Sequence, residues 1–135
     1  MATGTAGSTA RKSHLQMIHF LRKTIVFGDN GTTVTVGTVP AGSLILVPIS
    51  GVQVDVAFDG NSSNVLSIGA STDSGTNDMA SAISLATIGF VTLDETTTAK
   101  TVSVDTKIVA AVTSTADAAA GRGEIVIAYI PDIDG

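Results

Sequence analysis

The chain has 135 residues, of which 44% are apolar and 14% charged, with no cysteine and a formal net charge of −5. That length suits one domain with its own core, the hydrophobicity excludes a disordered chain, and the lack of cysteine excludes disulfides, thiolate catalysis and zinc–cysteine sites. Charge is sparse against the roughly 25% of an ordinary globular protein, so Thr, Ser, Asn and Gly must cover the surface, and such a surface packs against neighbours at small desolvation cost.

The charge is unevenly placed. Residues 1–23 hold Arg11, Lys12, Arg22 and Lys23 and no acid, whereas the remainder holds three bases and twelve acids. An acidic body behind a basic segment suits attachment to a partner; a short tail with a few solvated charges gives the same pattern. Residues 1–13 are rich in Gly, Ala, Ser and Thr and lack apolar periodicity. They predict a flexible arm ahead of a single domain over residues 14–135. No apolar h-region follows Arg11-Lys12, so no secretory signal is expected. No apolar run reaches the roughly 18 residues of a membrane span.

Leu15 to Phe27 is apolar and becomes β-branched, then stops at Gly28-Asp29-Asn30-Gly31. That cluster predicts a tight hairpin turn in which Asn-Gly supplies positive φ. Thr32 to Val39 alternates, with Val34 and Val36 on one face and threonines on the other. Pro40-Ala41-Gly42 breaks it. Leu44 to Val47 is a short apolar run, Pro48 to Gly51 a kink, and Val52, Val54 and Val56 alternate with polar or small residues. Asp59-Gly60-Asn61 turns the chain into a strand at Val65 to Ile68. Asp78 to Ala86 predicts the one helix: Asp78 as N-cap, with Met79, Ala82, Ile83 and Ala86 on one face. Phe90 to Leu93, Thr101 to Val104, Lys107 to Val112 and Glu124 to Ile130 follow as strands, and Pro131 ends the last. Eight or nine short strands at intervals of 8–12 residues, with Gly/Asn/Asp/Pro punctuation, are the pattern of an all-β sandwich or barrel.

Chemistry is thin. His14 and His19 are the two histidines, and their spacing of five puts them on different faces of a helix or a strand, so surface or packing roles outweigh metal ligation. No histidine lies near a serine nucleophile with an orienting acid. Asp29, Asp59, Asp73, Asp78, Asp94 and Glu95 sit in turns or loops, where Asp usually bonds its own backbone. Asp73-Ser74-Gly75-Thr76-Asn77-Asp78 is the nearest fragment to a cation loop, but it lacks the calcium-loop spacing. Gly28-Asp29-Asn30-Gly31 and Gly121-Arg122-Gly123 lack the context of a phosphate cradle. The acidic body should repel a nucleic-acid backbone, leaving the arm to make weak, salt-sensitive contact. With one tyrosine, four phenylalanines and no tryptophan, the aromatics mostly fit strand cores, which disfavours a sugar-binding platform. Neither an enzyme nor a cofactor is expected.

Three segments together carry a resemblance: Val36 to Ile45 (VGTVPAGSLI), Phe58 to Gly69 (FDGNSSNVLSIG) and Gly121 to Pro131 (GRGEIVIAYIP). The pattern over residues 34–131 resembles small head decoration or cement proteins of tailed bacteriophages. These motifs are strand-and-turn grammar rather than a catalytic fingerprint. The resemblance implies an antiparallel β-sandwich of jelly-roll type on the capsid exterior, at high copy number. It implies the major capsid protein as partner, bridged between neighbouring subunits, and self-association as a homo-dimer or homo-trimer, with no membrane and no specific nucleic acid. Candidate partner-contact residues are Arg11, Lys12, His14, His19, Arg22 and Lys23. A phage tail or fibre sandwich and a carbohydrate-binding sandwich module are the alternatives.

Overall fold

The computed structural model describes residues 17–70, 79–95, 101–115 and 117–131. Nine strands run through them: β1 (His19–Val26), β2 (Thr33–Val39), β3 (Leu44–Ile45), β4 (Gly51–Val56), β5 (Asn64–Ala70), β6 (Ala80–Ser84), β7 (Gly89–Thr92), β8 (Thr106–Ser114) and β9 (Arg122–Ile130). Short 3-10 turns occupy Phe27–Asp29 and Val47–Ile49, and no α-helix occurs among the described residues.

The strands form two antiparallel sheets. One has the order β1-β9-β4-β7, with β3 also paired to β9; the other has the order β2-β8-β5-β6. Setting the two-residue β3 aside, eight strands remain, and their pairing is nested. The first pairs with the last, the second with the second-last, the third with the sixth and the fourth with the fifth. Consecutive strands therefore change sheets, except at the innermost pair, and this is the jelly-roll winding of two Greek keys. The sandwich predicted from strand spacing is thus present, with no fixed-period repeat needed to build it.

The core lies between the sheets. Ile25, Val52, Val54, Ile125 and Ile127 enter it from one side, and Val39, Leu66, Ile68, Ile108, Ala110 and Val112 from the other. Each fully buried aliphatic side chain contributes on the order of 1.5–3 kcal/mol, enough for stability without metal or disulfide at this chain length.

Three bulges decide which residues face inward. In β2, Thr35 pairs with Val109 and Gly37 with Ile108, so one extra residue lies on β2. Alternation then changes phase: Val34 points to the core ahead of the bulge, the extra residue Val36 points there as well, and Val39 does so after it. In β4 the extra residue falls between Val54, opposite Gly123, and Val56, opposite Arg122. Simple alternation expects Val56 beside Val52 and Val54; the bulge instead turns it out, half-exposed.

The third bulge corrects the helix expected over Asp78 to Ala86. Leu66 pairs with Ile83 but Ile68 with Ala80, so β6 carries an extra residue opposite β5. Ala82 sits there with φ of 55°, and its amide donates to Ser67 Oγ at 3.2 Å. The bulge leaves Met79, Ala80, Ile83 and Leu85 buried, a spacing that imitates a helical face. The proposed cap, Asp78, lies outside the described residues.

Two further expectations change. The Asp29-Asn30-Gly31 segment does not close a hairpin. Asn30 has φ −51° and ψ 130°, Gly31 has φ 79°, and the Thr32 amide donates to Asp29 O at 3.0 Å. This is a type II turn, which needs positive φ at one residue, and it carries the chain from β1 in one sheet to β2 in the other. Thr101 to Val104 is not a strand. Thr101 makes an isolated bridge to Leu44, and Val102 exchanges backbone bonds with Gly42 and Ser43.

Candidate partner interface

The described carboxylates are mostly committed to holding loops. Asp29 accepts the Val26 amide, Asp59 the amides of Ala119 and Ala120, Asp94 that of Ser81, Asp105 that of Ala41 and Asp117 that of Asn61. Each carboxylate thereby satisfies a backbone donor that the loop leaves over. Asp55 and Glu124 instead pair with Arg122 and Arg22. Much of the body's acidity is therefore structural. Among the described residues no group of three His, Asp or Glu could hold a metal ion. The Asp73 to Asp78 fragment lies outside the described residues.

Asp59 illustrates the electrostatics. The amides of Ala120 and Ala119 hold its carboxyl below its ordinary value, because they stabilise the charged form. They tie the β4–β5 connection to the β8–β9 connection. Ser63 and Thr115 join the same two loops through the Thr115 amide to Ser63 O, while Asn30 Oδ1 accepts the Ser114 amide at 2.9 Å. One end of the sandwich is thus a knot of three interbonded loops, rigid rather than open.

The predicted contact residues do not converge. Arg11, Lys12 and His14 lie outside the described residues. His19 opens β1 facing inward, half-buried, with its ring centroid 5.6 Å from that of Tyr129, and its Nε2 is buried with no hydrogen-bond partner. Arg22 points outward and its Nε donates to Glu124 Oε1 at 2.7 Å. Lys23, opposite core-facing Ile125 on the sheet edge, is exposed on the other side of β1 from Arg22 and forms no ion pair among the described residues.

An apolar cluster emerges that sequence reading passes over. On β9, Ile125, Ile127 and Tyr129 face the core, so Val126, Ala128 and Ile130 face outward. Phe20 pairs with Ala128 and Leu44 with Ile130, which puts both on that outer face. Ile18 immediately precedes β1, and Ile49 lies in the 3-10 turn between β3 and β4. Ile18, Phe20, Leu44 and Ile49 are 44%, 53%, 43% and 45% exposed. The aromatics also correct an expectation: of the four phenylalanines, Phe58 is buried, whereas Phe20, Phe27 and Phe90 are exposed. Phe20 and Phe90 sit on strands at opposite edges of one sheet and Phe27 in the β1–β2 turn, so the three do not form one stacking platform.

No protein-family model matches the chain, and no curated protein matches it in sequence. Solved structures do match. One chain, in the cyanophage Pam1 capsid asymmetric unit, aligns with a TM-score of 0.61 at 18% identity over 85% of each chain. Another, in the acidic stable capsid structure of the Helicobacter pylori bacteriophage KHP30, aligns with a TM-score of 0.58 at 16% identity, over 84% of this chain and 86% of that one. The likeness is one of fold. Because the shares covered are nearly equal on both sides, each neighbour is a chain of about this length, and the sandwich is matched as a whole.

Proposed function

We propose that this chain is a structural protein of a tailed-bacteriophage virion, decorating the outside of the capsid and cementing neighbouring major capsid subunits. The observation that carries the reading is the whole-chain likeness of its fold to similarly sized chains in two phage capsid structures. The chemistry of the described residues agrees with a role in holding surfaces together. The loops are closed by their own carboxylates, and exposed side chains on an outer sheet face are large and apolar rather than catalytic. The basic residues at 11, 12, 22 and 23 supply a second, electrostatic contact. A domain that folds by itself and attaches through a short N-terminal segment gains from tethering, since the second contact forms at high effective concentration.

The test is reattachment. Shells lacking this chain are mixed with the purified protein and examined by electron microscopy and sedimentation. Saturable decoration at fixed lattice positions is expected. Removing residues 1–13 should leave the fold intact and weaken attachment; unchanged attachment would remove the segment's role. A monomer that ignores shells but changes on sugar titration would overturn the reading in favour of a carbohydrate-binding module.

A further inference from the structure

We propose that Asn30 is a site of spontaneous covalent modification, closing on the Gly31 nitrogen to a succinimide that water opens to aspartate or isoaspartate, and that the fold guards it by tying its turn to β8. The inference concerns the chain itself and does not depend on the decoration role.

The sequence supplies the reactants. Asn30 is exposed and is followed by glycine, whereas the other asparagines, Asn61, Asn64 and Asn77, precede Ser, Val and Asp. Asparagine is a thermolabile residue, and a glycine after it leaves the attacking nitrogen unhindered and its backbone free to turn. In the reaction the Gly31 nitrogen loses its proton to water or hydroxide and bonds to Asn30 Cγ. The Cγ–Nδ2 bond breaks, and the side-chain nitrogen takes up a proton and leaves as ammonia. Water then adds to one of the two ring carbonyls and opens the ring. Opening at Cγ gives aspartate; opening at the Asn30 carbonyl carbon gives isoaspartate, in which the main chain runs through Cγ. Either product places a new carboxylate beside Asp29.

The folded turn holds these reactants apart. Ring closure needs the Gly31 nitrogen eclipsed with the Asn30 Cβ, but Asn30 has ψ of 130°, far from that alignment. Backbone bonds fix it there. The Gly31 amide donates to Val112 O at 3.2 Å, the Thr32 amide to Asp29 O at 3.0 Å, and the Ser114 amide to Asn30 Oδ1 at 2.9 Å. The Thr32 hydroxyl adds a further bond to Asp29 O at 2.7 Å. The Ser114 amide also polarises Cγ toward attack, but only a nitrogen free to swing round can use that. Conversion therefore waits on local opening of the turn away from β8, and its rate follows the small open population. Isoaspartate lengthens the backbone by a methylene, so the turn and the Val112 bond no longer share a register, and the link between β1 and β2 stays loose.

The experiment uses the full chain. Folded protein and protein in guanidinium chloride are held at the same mildly alkaline pH and temperature, then digested and read by mass spectrometry at each asparagine. In denaturant Asn30 should convert well ahead of Asn61 and Asn64. In the folded protein it should convert at least about tenfold more slowly than in denaturant. Thr32→Val, checked by circular dichroism, removes the hydroxyl bond to Asp29 O; it should speed the folded conversion and leave that in denaturant unchanged. Asp29→Ala, which frees the Val26 amide, is the second variant should Thr32→Val fail to fold. Gly31→Ala, read in denaturant where the turn is absent, should slow conversion by hindering the nitrogen. Conversion of Asn30 in denaturant no faster than that of Asn61 would overturn the site. Equal rates in the folded and denatured protein would overturn the guard, and an unchanged folded rate in the loosened variant would overturn turn opening as the gate.

Discussion

The hydroxyl of Ser50 accepts the amide of Ala128 at 2.9 Å and donates to the Leu46 carbonyl at 2.8 Å. β3 and β4 lie along the same side of β9 and are interrupted by the 3-10 turn at Val47–Ile49. At the interruption β9 would lose a ladder partner. The Leu46 amide takes up the Ala128 carbonyl at 2.8 Å, and a side chain, rather than a strand, takes up the Ala128 amide.

Ser50→Ala removes that acceptor and leaves a buried N–H unpaired. An orphaned buried donor costs about 1–3 kcal/mol. Urea unfolding should show a lower midpoint with an unchanged slope, since the surface exposed on unfolding is the same. An unchanged midpoint would mean that water or a backbone shift satisfies Ala128.

The strands were legible in the sequence because period-2 valine and threonine patterns persist between turn residues, and the nesting was not, because pairing between distant strands leaves no local mark. Leu44 and Phe20 show the limit for the interface. Ile18-His19-Phe20-Leu21 is nearly all apolar, so nothing in the order of residues says which of Phe20 and Leu21 faces water; the pairing of Phe20 with Ala128 decides it. Bulges caused the other misreadings. An extra residue at Ala82 changed the phase of β6 and gave its buried residues a helix-like spacing. An extra residue in β4 turned Val56 out of the core.

Gly121→Ala should be among the most damaging single-methyl additions. Gly121 has φ of 150°, where side chains are rarely tolerated, and a Cβ there would meet the ring of buried Phe58 at 2.6 Å. Strained backbone and overpacking each cost on the order of 1–3 kcal/mol. Gly28→Ala, where a Cβ would meet nothing within 4 Å, is the control. Thermal melts should separate the two variants clearly; equal melting temperatures would show that Phe58 moves aside without cost.

Acid should act through Asp59. The Ala120 and Ala119 amides lower its pKa from the ordinary 3.8. A carboxyl depressed in the folded state contributes stability above its unfolded value, and that contribution fades as pH falls from 3.8 through the lower folded value. Asp59→Asn should therefore be less stable than the wild type near neutral pH, and the gap should narrow below pH 3.8. Denaturant titrations at a series of pH values check this. A gap of constant size from about pH 7 to about pH 2 would show that the bonds matter without the charge.

Arg22 and Glu124 form a cross-strand pair whose side chains are 67% and 28% exposed. Pairs this open couple weakly, usually by about 1 kcal/mol or less, because water screens the charges and ordering two long side chains costs entropy. A double-mutant cycle with Arg22→Ala and Glu124→Ala should return a coupling in that range in unfolding experiments. A much larger coupling would mean that the pair anchors β1 to β9. The weak outcome has a use, since Arg22→Ala then leaves the sandwich folded while removing a base beside Phe20. Its loss of shell attachment, measured against that of Glu124→Ala, would separate a base that serves the partner from one that serves the sheet. Glu124→Ala frees Arg22 and should leave attachment equal to or stronger than that of the wild type.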